Sequence, residues 1–326
     1  MADEAGGRGM KVSVVIPCFQ SQQTLASVVG QVIQVLEQRS NVDFELVLVN
    51  DGSTDQTFAV IQDLAKDKRV KGLDLSKNFG QPNASLAGFA VATGEVIVYC
   101  DDDGQTPIDE VWALIDKLQE GHDVVFAKFA VKETSRIAKL GSLLNSATTS
   151  YLTGKPKGLH MGNFWVARRF VVEEIVRSRN PFPHVGGLLA TSAGRFAQVP
   201  TQHRPREHGK SNYTFKKLVS LWWNGVTGFS ALPLRLITAV GAATGGMGFI
   251  LLAIVVIRWA FEPETPPGYT STVSLILCLG GINLFVVGLV GDYVGRSFLA
   301  LTGLPQYVRR QTINLDEEAD YGDSVV

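Results

Sequence analysis

Three consecutive carboxylates, Asp101-Asp102-Asp103, are the side chains with the most evident chemistry in this sequence. They follow an apolar, strand-like run, Glu95–Cys100, and Gln105 stands two residues beyond them. Adjacent carboxylates at the end of an apolar strand repel one another and lose hydration unless a cation or solvent relieves them. Asp101, Asp103 and Gln105 offer oxygen atoms, the ligands that Mg²⁺ and Mn²⁺ prefer. One interpretation of the run is therefore a divalent metal site.

A second interpretation of the same run is purely structural. Gly104 and Thr106-Pro107 are ordinary residues between a strand and a helix, with Thr106 as the helix N-cap and Pro107 at the first helical position. Asp109 would then complete a capping box. The residues alone leave both interpretations open.

Alternating strand and helix patterns predict how the aspartates are positioned. The patterns predict strands at Lys11–Pro17, Phe44–Val49, Val70–Leu75, Glu95–Cys100 and Asp123–Phe126. They predict helices at Thr24–Glu37, from the turn that ends at Asp55 to about Leu64, at Pro82–Thr93 and at Ile108–Glu120. This alternation predicts an α/β fold with a mostly parallel, doubly wound sheet. Ligands bind such sheets at the carboxyl ends of the strands, where Pro17, Asp51 and Asp101–Asp103 fall.

Composition and missing motifs exclude several classes of protein. The 326 residues carry 30 Lys and Arg against 31 Asp and Glu, so the net charge of −1 does not favour a nucleic acid as partner. No G-x-G-x-x-G motif follows the first strand, which argues against a dinucleotide-dependent dehydrogenase. Gly209-Lys210-Ser211 resembles the end of a P-loop, but Arg204 stands where the first glycine should be. The three cysteines lack disulfide or zinc spacing and fit a reducing compartment.

Two uncharged stretches near the C-terminus predict a pair of transmembrane helices. The first lies between Arg235 and Arg258, and the second runs from about Thr272 to Gly291. The length of each stretch is close to the roughly 20 residues that a helix needs to cross a bilayer. The alternative for each stretch is a buried core helix. Flanking basic residues, together with Glu262 and Glu264 in the connecting loop, predict that both ends of the pair are cytoplasmic.

The segment before the first span mixes aromatic and basic residues. Lys216 and Lys217 are interleaved with Trp222, Trp223 and Phe229, a composition typical of a helix in the lipid headgroup layer. The resulting domain prediction is a disordered N-terminus at 1–10, a catalytic α/β domain at 11–205, an interfacial amphipathic segment at 206–234, a transmembrane hairpin at 235–300 and a cytosolic tail at 301–326.

Taken together, the motifs resemble the GT-A-type family 2 glycosyltransferases, in particular the membrane-anchored polyprenyl-phosphate branch. The resemblance covers about Val12 to Val308. It is carried by Val14–Phe19, Val49–Asp55, Lys77–Gln81, Asp101–Pro107, Arg206–Tyr213 and Gly291–Arg296. A processive polysaccharide synthase of the same superfamily would need a Q-x-x-R-W motif, which we do not find. A catalytically degenerate membrane scaffold is a further alternative.

The resemblance implies roles for individual residues. Residues implied to bind the nucleotide are Pro17, Phe19, Asp51, Ser53, Asp101, Asp102, Arg206 and Ser211. Asp51 is implied to accept a hydrogen bond from the base, and Arg206 to contact the diphosphate. Asp101, Asp103 and Gln105 are implied to bind Mg²⁺ or Mn²⁺. The candidate catalytic set is Asp103, Arg206 and His160. Replacement of Asp102 is expected to be tolerated best within the aspartate run.

The acceptor side is predicted from basic residues and from one departure from the family pattern. A lipid phosphate needs cations, and Lys128, Lys132, Arg136 and Lys139 follow the last predicted strand, although a solvated basic face is the alternative. Several relatives carry an aspartate, proposed as general base, near the segment that reads Gly158–Phe164 here, and this segment has no carboxylate. His160 or Asn163 would occupy its place. A phosphate monoester is already ionised at neutral pH, so little proton abstraction is needed.

The expected function is metal-dependent, inverting transfer of a sugar from a nucleotide-sugar, preferably a UDP-hexose, to undecaprenyl phosphate at the cytosolic face of the inner membrane. The expected partners are the nucleotide-sugar, the polyprenyl phosphate, the lipid bilayer and a possible second copy of the chain. The sugar itself depends on pocket shape, which no short motif encodes.

Overall fold

The computed structural model describes residues 9–129, 156, 158–178, 183–201, 234, 241, 243, 250, 268–302 and 305–315. The chain divides into two compact units, one formed by Met1–Leu218 with Pro305–Val326 and the other by Val219–Leu304.

A single eight-stranded sheet runs through the described part of the first unit. The strands are β1 Met10–Cys18, β2 Val42–Asn50, β3 Val70–Leu75, β4 Val96–Tyr99, β5 Val124–Phe129, β6 Trp165–Arg168, β7 Phe196–Thr201 and β8 Arg309–Ile313. Their order across the sheet is β7-β5-β6-β4-β1-β2-β3-β8. Strands β3, β2, β1 and β4 are mutually parallel, as the alternation of strands and helices predicts.

The helices that connect these strands confirm the predicted order. They are α1 Leu25–Leu36, α2 Thr57–Leu64, α3 Gln81–Val91, α4 Val111–Gln119, α5 Arg169–Val176 and α6 Val185–Ser192, with a 3₁₀ turn at Ile108–Glu110 before α4. The predicted strand at Val70–Leu75 agrees residue for residue, and the other predicted boundaries shift by a few residues. The parallel core agrees with the predicted mostly parallel sheet, whereas the antiparallel strand β6 between β4 and β5 was not predicted.

Helices cover both faces of the sheet, which explains why its strands are continuously apolar. One core layer packs α1 and α4 against alternate residues of β1, such as Val14 and Ile16. The other packs α3 and α5 against the opposite face, which includes Val15 and Val47. Because both faces are buried, the central strands are held rigidly and their carboxyl ends present the following loops at defined positions.

Two local predictions need adjustment. The 3₁₀ turn has Pro107 at its N-cap position and no side-chain capping hydrogen bond, so the capping interpretation of Thr106 and Asp109 was wrong. Lys128 lies within β5 and not after it, because that strand continues to Phe129. Its side chain is exposed.

The C-terminal segment returns to the sheet. Residues 301–326 were predicted as a cytosolic tail, and within that range β8 pairs antiparallel with β3, with Thr312 opposite Leu73. Asn314 follows with a positive φ of 57° and donates to the carbonyls of Ala65 and Val70 at 2.6 and 2.8 Å. The chain therefore leaves the first unit and comes back to it.

The second unit contains a long helix, α7, at Tyr269–Leu301. Among the described residues, no helix combines the length and apolar composition expected of a membrane span. The predicted first span and the predicted interfacial segment lie almost entirely outside the described residues.

Candidate active site

Four loops meet where the parallel strands end. They follow β1, β2, β3 and β4 and carry the segments 19–24, 51–56, 76–80 and 100–107. Hydrogen bonds between residues far apart in sequence join these loops. The predicted convergence of Pro17, Asp51 and the aspartate run at one edge of the sheet is therefore consistent with the structure.

Asp101 is held by two amide groups. Its Oδ1 accepts from Gln81 Nε2 at 2.7 Å, and its Oδ2 accepts from Asn163 Nδ2 at 3.1 Å. Burial raises the pKa of Asp101 to about 6, and the nearby charges of Asp103 and Asp102 add to the rise against the hydrogen bonds. A carboxylate in these surroundings is stabilised by a nearby cation.

Asp102 points toward the loop after β1. Its Oδ2 accepts from the Phe19 backbone N–H at 3.1 Å and from the Ser21 hydroxyl, and its backbone carbonyl accepts from Thr24 Oγ1 at 2.8 Å. Burial raises the pKa of Asp102, while these hydrogen bonds oppose the rise. The middle aspartate therefore links the aspartate run to the loop that carries Phe19.

Asp103 and Gln105 form a tight turn around Gly104. The Gln105 backbone N–H donates to Asp103 Oδ1 at 3.0 Å, and Gly104 has a φ of 74°, which favours glycine. By residue type, Asp101, Asp103 and Gln105 offer two carboxylates and one amide, whose oxygen atoms suit Mg²⁺ or Mn²⁺. Among the described residues, no group of three or more His, Cys, Asp or Glu side chains is placed so that it could hold a metal ion.

Asp51 is only 2% exposed and has an anchoring role in the structure. Its Oδ1 accepts from the Phe79 N–H at 2.7 Å and its Oδ2 from the Gly80 N–H at 2.9 Å, at the start of α3. Burial raises its pKa, and the two backbone hydrogen bonds oppose that shift. Both oxygens already have a donor, so a hydrogen bond from a base would add to these two contacts.

Phe19 and Ser53 flank this anchor. Phe19 is 47% exposed, although its backbone is fixed by Asp102, whereas Pro17 is buried in β1 opposite Val49. Ser53 Oγ accepts from the Gln20 N–H at 3.0 Å. An exposed aromatic ring on a fixed backbone offers a stacking surface for a planar ligand.

His160 and Asn163 differ in their placement. Asn163 Nδ2 donates to Asp101 Oδ2 at 3.1 Å. His160 is exposed, its backbone carbonyl accepts from Gln198 at 3.0 Å, and within the described residues its imidazole makes no hydrogen bond to the aspartates. Of the two residues, Asn163 is the one joined to the cluster.

Several predicted site residues cannot be placed. Arg206, Ser211, Lys132, Arg136 and Lys139 lie outside the described residues. Conversely, sequence reasoning did not assign a role to Gln81 or Ser21. Gln81 ends the motif Lys77–Gln81, but its partner Asp101 is 20 residues away and no periodicity connects them.

Comparison with known proteins places this architecture in a class of enzymes. Residues 13–176 match the family described as Glycosyl transferase family 2, and residues 232–297 match the GtrB C-terminal hairpin. The chain belongs to glycosyl transferase family 2, and it is a glycosyltransferase.

Curated relatives extend this assignment over nearly the whole chain. Undecaprenyl-phosphate 4-deoxy-4-formamido-L-arabinose transferase of Enterobacter sp. (strain 638) is 30% identical over 308 residues, covering 93% of this chain and 94% of that protein. The enzyme of the same name from Proteus mirabilis (strain HI4320) is 28% identical, covering 94% of each chain. The uncharacterized glycosyltransferase YkcC of Bacillus subtilis (strain 168) is 29% identical, covering 97% of this chain and 98% of that one.

Proposed function

We propose that this glycosyltransferase transfers one sugar from a nucleotide donor, preferably a UDP-hexose, to undecaprenyl phosphate at the cytosolic face of the inner membrane. The observation that carries the proposal is the aspartate cluster at the carboxyl edge of the sheet, with Asp101 held by Gln81 and Asn163. The alignment with undecaprenyl-phosphate transferases over 93% of the chain supports the acceptor.

The donor nucleoside is assigned to the loops after β1 and β2. Phe19 supplies an exposed ring on a fixed backbone, and Ser53 and Asp51 shape the adjoining turn. Asp102 keeps the Phe19 loop next to the aspartate run, so the nucleoside and diphosphate positions are set relative to each other.

The diphosphate is assigned to the aspartate side of the site. Asp101, Asp103 and Gln105 would hold Mg²⁺ or Mn²⁺, and the bound ion would stabilise the negative charge of the departing nucleoside diphosphate. Gln81 and Asn163 fix the orientation of the Asp101 carboxylate, so little reorganisation is needed as that charge develops. Arg206 is assigned to the same diphosphate by its motif.

The acceptor phosphate oxygen is the nucleophile. It forms a bond to the anomeric carbon while the bond from that carbon to the donor diphosphate breaks, which inverts the configuration. Because a phosphate monoester is already ionised near neutral pH, no side-chain base has to take a proton. Lys128, Lys132, Arg136 and Lys139 are assigned to the acceptor phosphate.

The long helix α7 supports a membrane location. Large apolar side chains are exposed over much of its length, among them Ile276, Phe285, Val294 and Phe298. Exposed apolar groups on several sides of one helix favour lipid as the surroundings.

The proposal is tested by incubating the purified full chain with undecaprenyl phosphate, Mg²⁺ or Mn²⁺ and a panel of labelled UDP- and GDP-sugars. We expect one donor to give a lipid carrying a single sugar, detected by mass spectrometry, and we expect EDTA to stop its formation. Asp103→Asn should lower the rate at least about 100-fold, since it removes a charge at the reacting diphosphate. Asp109→Asn, which changes an exposed carboxylate nearby, is the matched control and should keep the activity.

Each alternative gives a different product. A processive synthase would yield a polymer, and a degenerate scaffold would yield no product from any donor. Either outcome would contradict the proposal.

The proposal that no side-chain base is needed gives a separate prediction. His160→Ala is expected to keep kcat within about threefold of the unchanged chain, since the ionised acceptor needs little general-base assistance. A loss of turnover with donor binding intact would show that His160 takes a proton.

A further inference from the structure

One side chain of β8 reaches the end of the neighbouring strand. Arg310 Nη1 lies 3.4 Å from Asp74 Oδ2, and Arg310 Nη2 donates to the Ser76 carbonyl at 2.5 Å. Asp74 is the penultimate residue of β3, and Ser76 begins the loop that leads to α3. Arg310 therefore binds both the strand end and the start of the loop.

Asp74 extends this contact to the turn after β2. Its Oδ1 accepts from Asn50 Nδ2 at 2.7 Å, and Asn50 Oδ1 in turn accepts from the Ser53 N–H at 3.3 Å. Asp74 and Asn50 are 4% and 2% exposed. Hydrogen bonds between such buried groups are strong and costly to leave unmade, so movement of Asp74 disturbs Asn50.

The loop that Arg310 holds also packs directly against this turn. A Cβ atom added at Gly52 would lie 2.3 Å from the Lys77 carbonyl carbon, so the two backbones are in close contact. Asp51 binds the other end of the loop through the Phe79 and Gly80 N–H groups. Arg310 therefore supports the turn by two routes, through Asp74 and through the loop.

We propose that Arg310, on the strand that follows the second unit, is a positioning residue for the donor nucleoside. The inference rests on the proposed function, which assigns the nucleoside to the turn that contains Asp51 and Ser53. Arg310 does not touch the donor; it fixes the turn that does. Loss of its guanidinium removes the cation beside Asp74 and the donor to Ser76, so the turn samples positions that bind the nucleoside less well.

The test compares Arg310→Met with Arg309→Met in the purified full chain. Both changes remove one guanidinium from β8, but Arg309 lies over the ring of Tyr307, 5.8 Å from its centroid. Donor KM and kcat are measured at saturating undecaprenyl phosphate with the donor that the unchanged chain uses, together with the unfolding temperature. We expect Arg310→Met to raise the donor KM about five- to tenfold with kcat within about twofold, and Arg309→Met to leave both nearly unchanged.

Two further variants separate positioning from plain stabilisation. Arg310→Lys retains a cation and should restore most of the donor affinity. Asp74→Asn keeps an acceptor for Asn50 but loses the charge, so it should raise the donor KM less than Arg310→Met does. The chain with both Arg310→Met and Asp74→Asn should have a donor KM no higher than that of Arg310→Met alone.

A lower unfolding temperature for Arg310→Met with an unchanged donor KM would overturn the inference, as would an equal rise in KM for Arg309→Met. If Arg310→Met does not fold, an unchanged donor KM in Asp74→Asn would overturn it. If the unchanged chain gives no lipid-linked sugar from any donor, the proposed function itself fails, and the inference fails with it.

Discussion

At the scale of single residues, three adjacent aspartates have three different surroundings. Asp101 is held by side-chain amides, Asp102 by the loop after β1, and Asp103 by its own turn. Adjacent positions after a strand point in different directions, so the same residue type acquires different neighbours. The contacts of Asp102 predict that its replacement has a cost of its own, and its being the best tolerated of the three stays a prediction.

Asp102→Ala is predicted to raise the donor KM about tenfold and to lower the unfolding temperature. The change removes an acceptor shared by the Phe19 N–H and the Ser21 hydroxyl, and a hydrogen bond to a charged group contributes about 1.5–3 kcal/mol. Donor titration and thermal unfolding of the full chain measure the two effects. Asp102→Asn, which retains one acceptor oxygen, should lie between Asp102→Ala and the unchanged chain; wild-type values for Asp102→Ala would contradict this assignment.

At the scale of elements, the turn after β2 requires a glycine. Gly52 has a φ of 62°, and an added Cβ would lie 2.5 Å from the Asn78 nitrogen. Gly30 lies in helix α1 and has nothing within 4 Å of its added Cβ. The two glycines therefore differ in what a methyl group would meet.

Gly52→Ala and Gly30→Ala are predicted to have opposite effects. Gly52→Ala should destabilise the chain by more than about 1 kcal/mol and weaken donor binding, because both the backbone angle and the contact with the loop after β3 are unfavourable. Gly30→Ala should stabilise α1 by about 0.5–1 kcal/mol. Unfolding temperatures and donor KM values check both expectations, and equal effects of the two substitutions would contradict the role given to Gly52.

Strands β1, β2 and β3 are also tied by a buried ionic cluster around Glu45. Its carboxylate lies 2.8 Å from Lys71 Nζ and accepts from Ser13 Oγ and the Thr93 N–H, each at 2.6 Å. Burial alone would raise the pKa of Glu45, but the hydrogen bonds from Lys71, Ser13 and Thr93 outweigh it and lower the pKa to about 2.

The lowered pKa predicts a specific acid sensitivity. The pKa of Glu45 is lower in the folded state than in the unfolded chain. The ionised carboxylate therefore contributes fully to the free energy of unfolding above the unfolded pKa of 4.5, and this contribution disappears as the pH falls toward about 2. At neutral pH, this contribution of Glu45 to the free energy of unfolding is roughly 3 kcal/mol. Unfolding temperatures measured from pH 7 to pH 3 should fall less steeply in Glu45→Gln than in the unchanged chain. Parallel curves would assign the acid sensitivity to other groups.

At the scale of the whole molecule, the path of the chain limits how it can meet a membrane. The first unit contains residues on both sides of the second unit in sequence, because β8 pairs with β3. A folded unit lies on one side of a bilayer, so the segment between its two parts must cross an even number of times or not at all. The predicted hairpin of two spans satisfies this condition.

Epitope tags test this topology in spheroplasts of a bacterial expression host. Tags after Met1 and after Val326 should be protected from an added protease, while a tag between Glu262 and Glu264 should be cleaved, because the hairpin loop is predicted to face the other side. Cleavage of all three tags after detergent lysis is the control. Cleavage of only one terminal tag in intact spheroplasts would contradict the pairing of β8 with β3 in the membrane-bound protein.

The order of strands and helices up to β5 follows from the sequence because each is a local pattern. The run Val12–Ile16 in β1 is rich in β-branched apolar residues, and α1 has its apolar residues on one face. The placement of β6 and β8 in the sheet does not follow from the sequence. Strand β6 inserts antiparallel between β4 and β5, and β8 pairs with β3, and both arrangements depend on contacts between distant segments.

Within the site, the position of the aspartate run follows from the sequence, whereas the contacts of its side chains do not. The sequence by itself determined that Asp101–Asp103 follow a buried strand, and hence that charged groups gather at the ligand-binding edge of a parallel sheet. Only the tertiary structure decided that Asp102 faces Ser21, that Gln81 and Asn163 hold Asp101, and that Arg310 reaches Asp74. These partners are separated by 20 to 236 residues, and the direction of a side chain across such a separation is set by packing and not by local pattern.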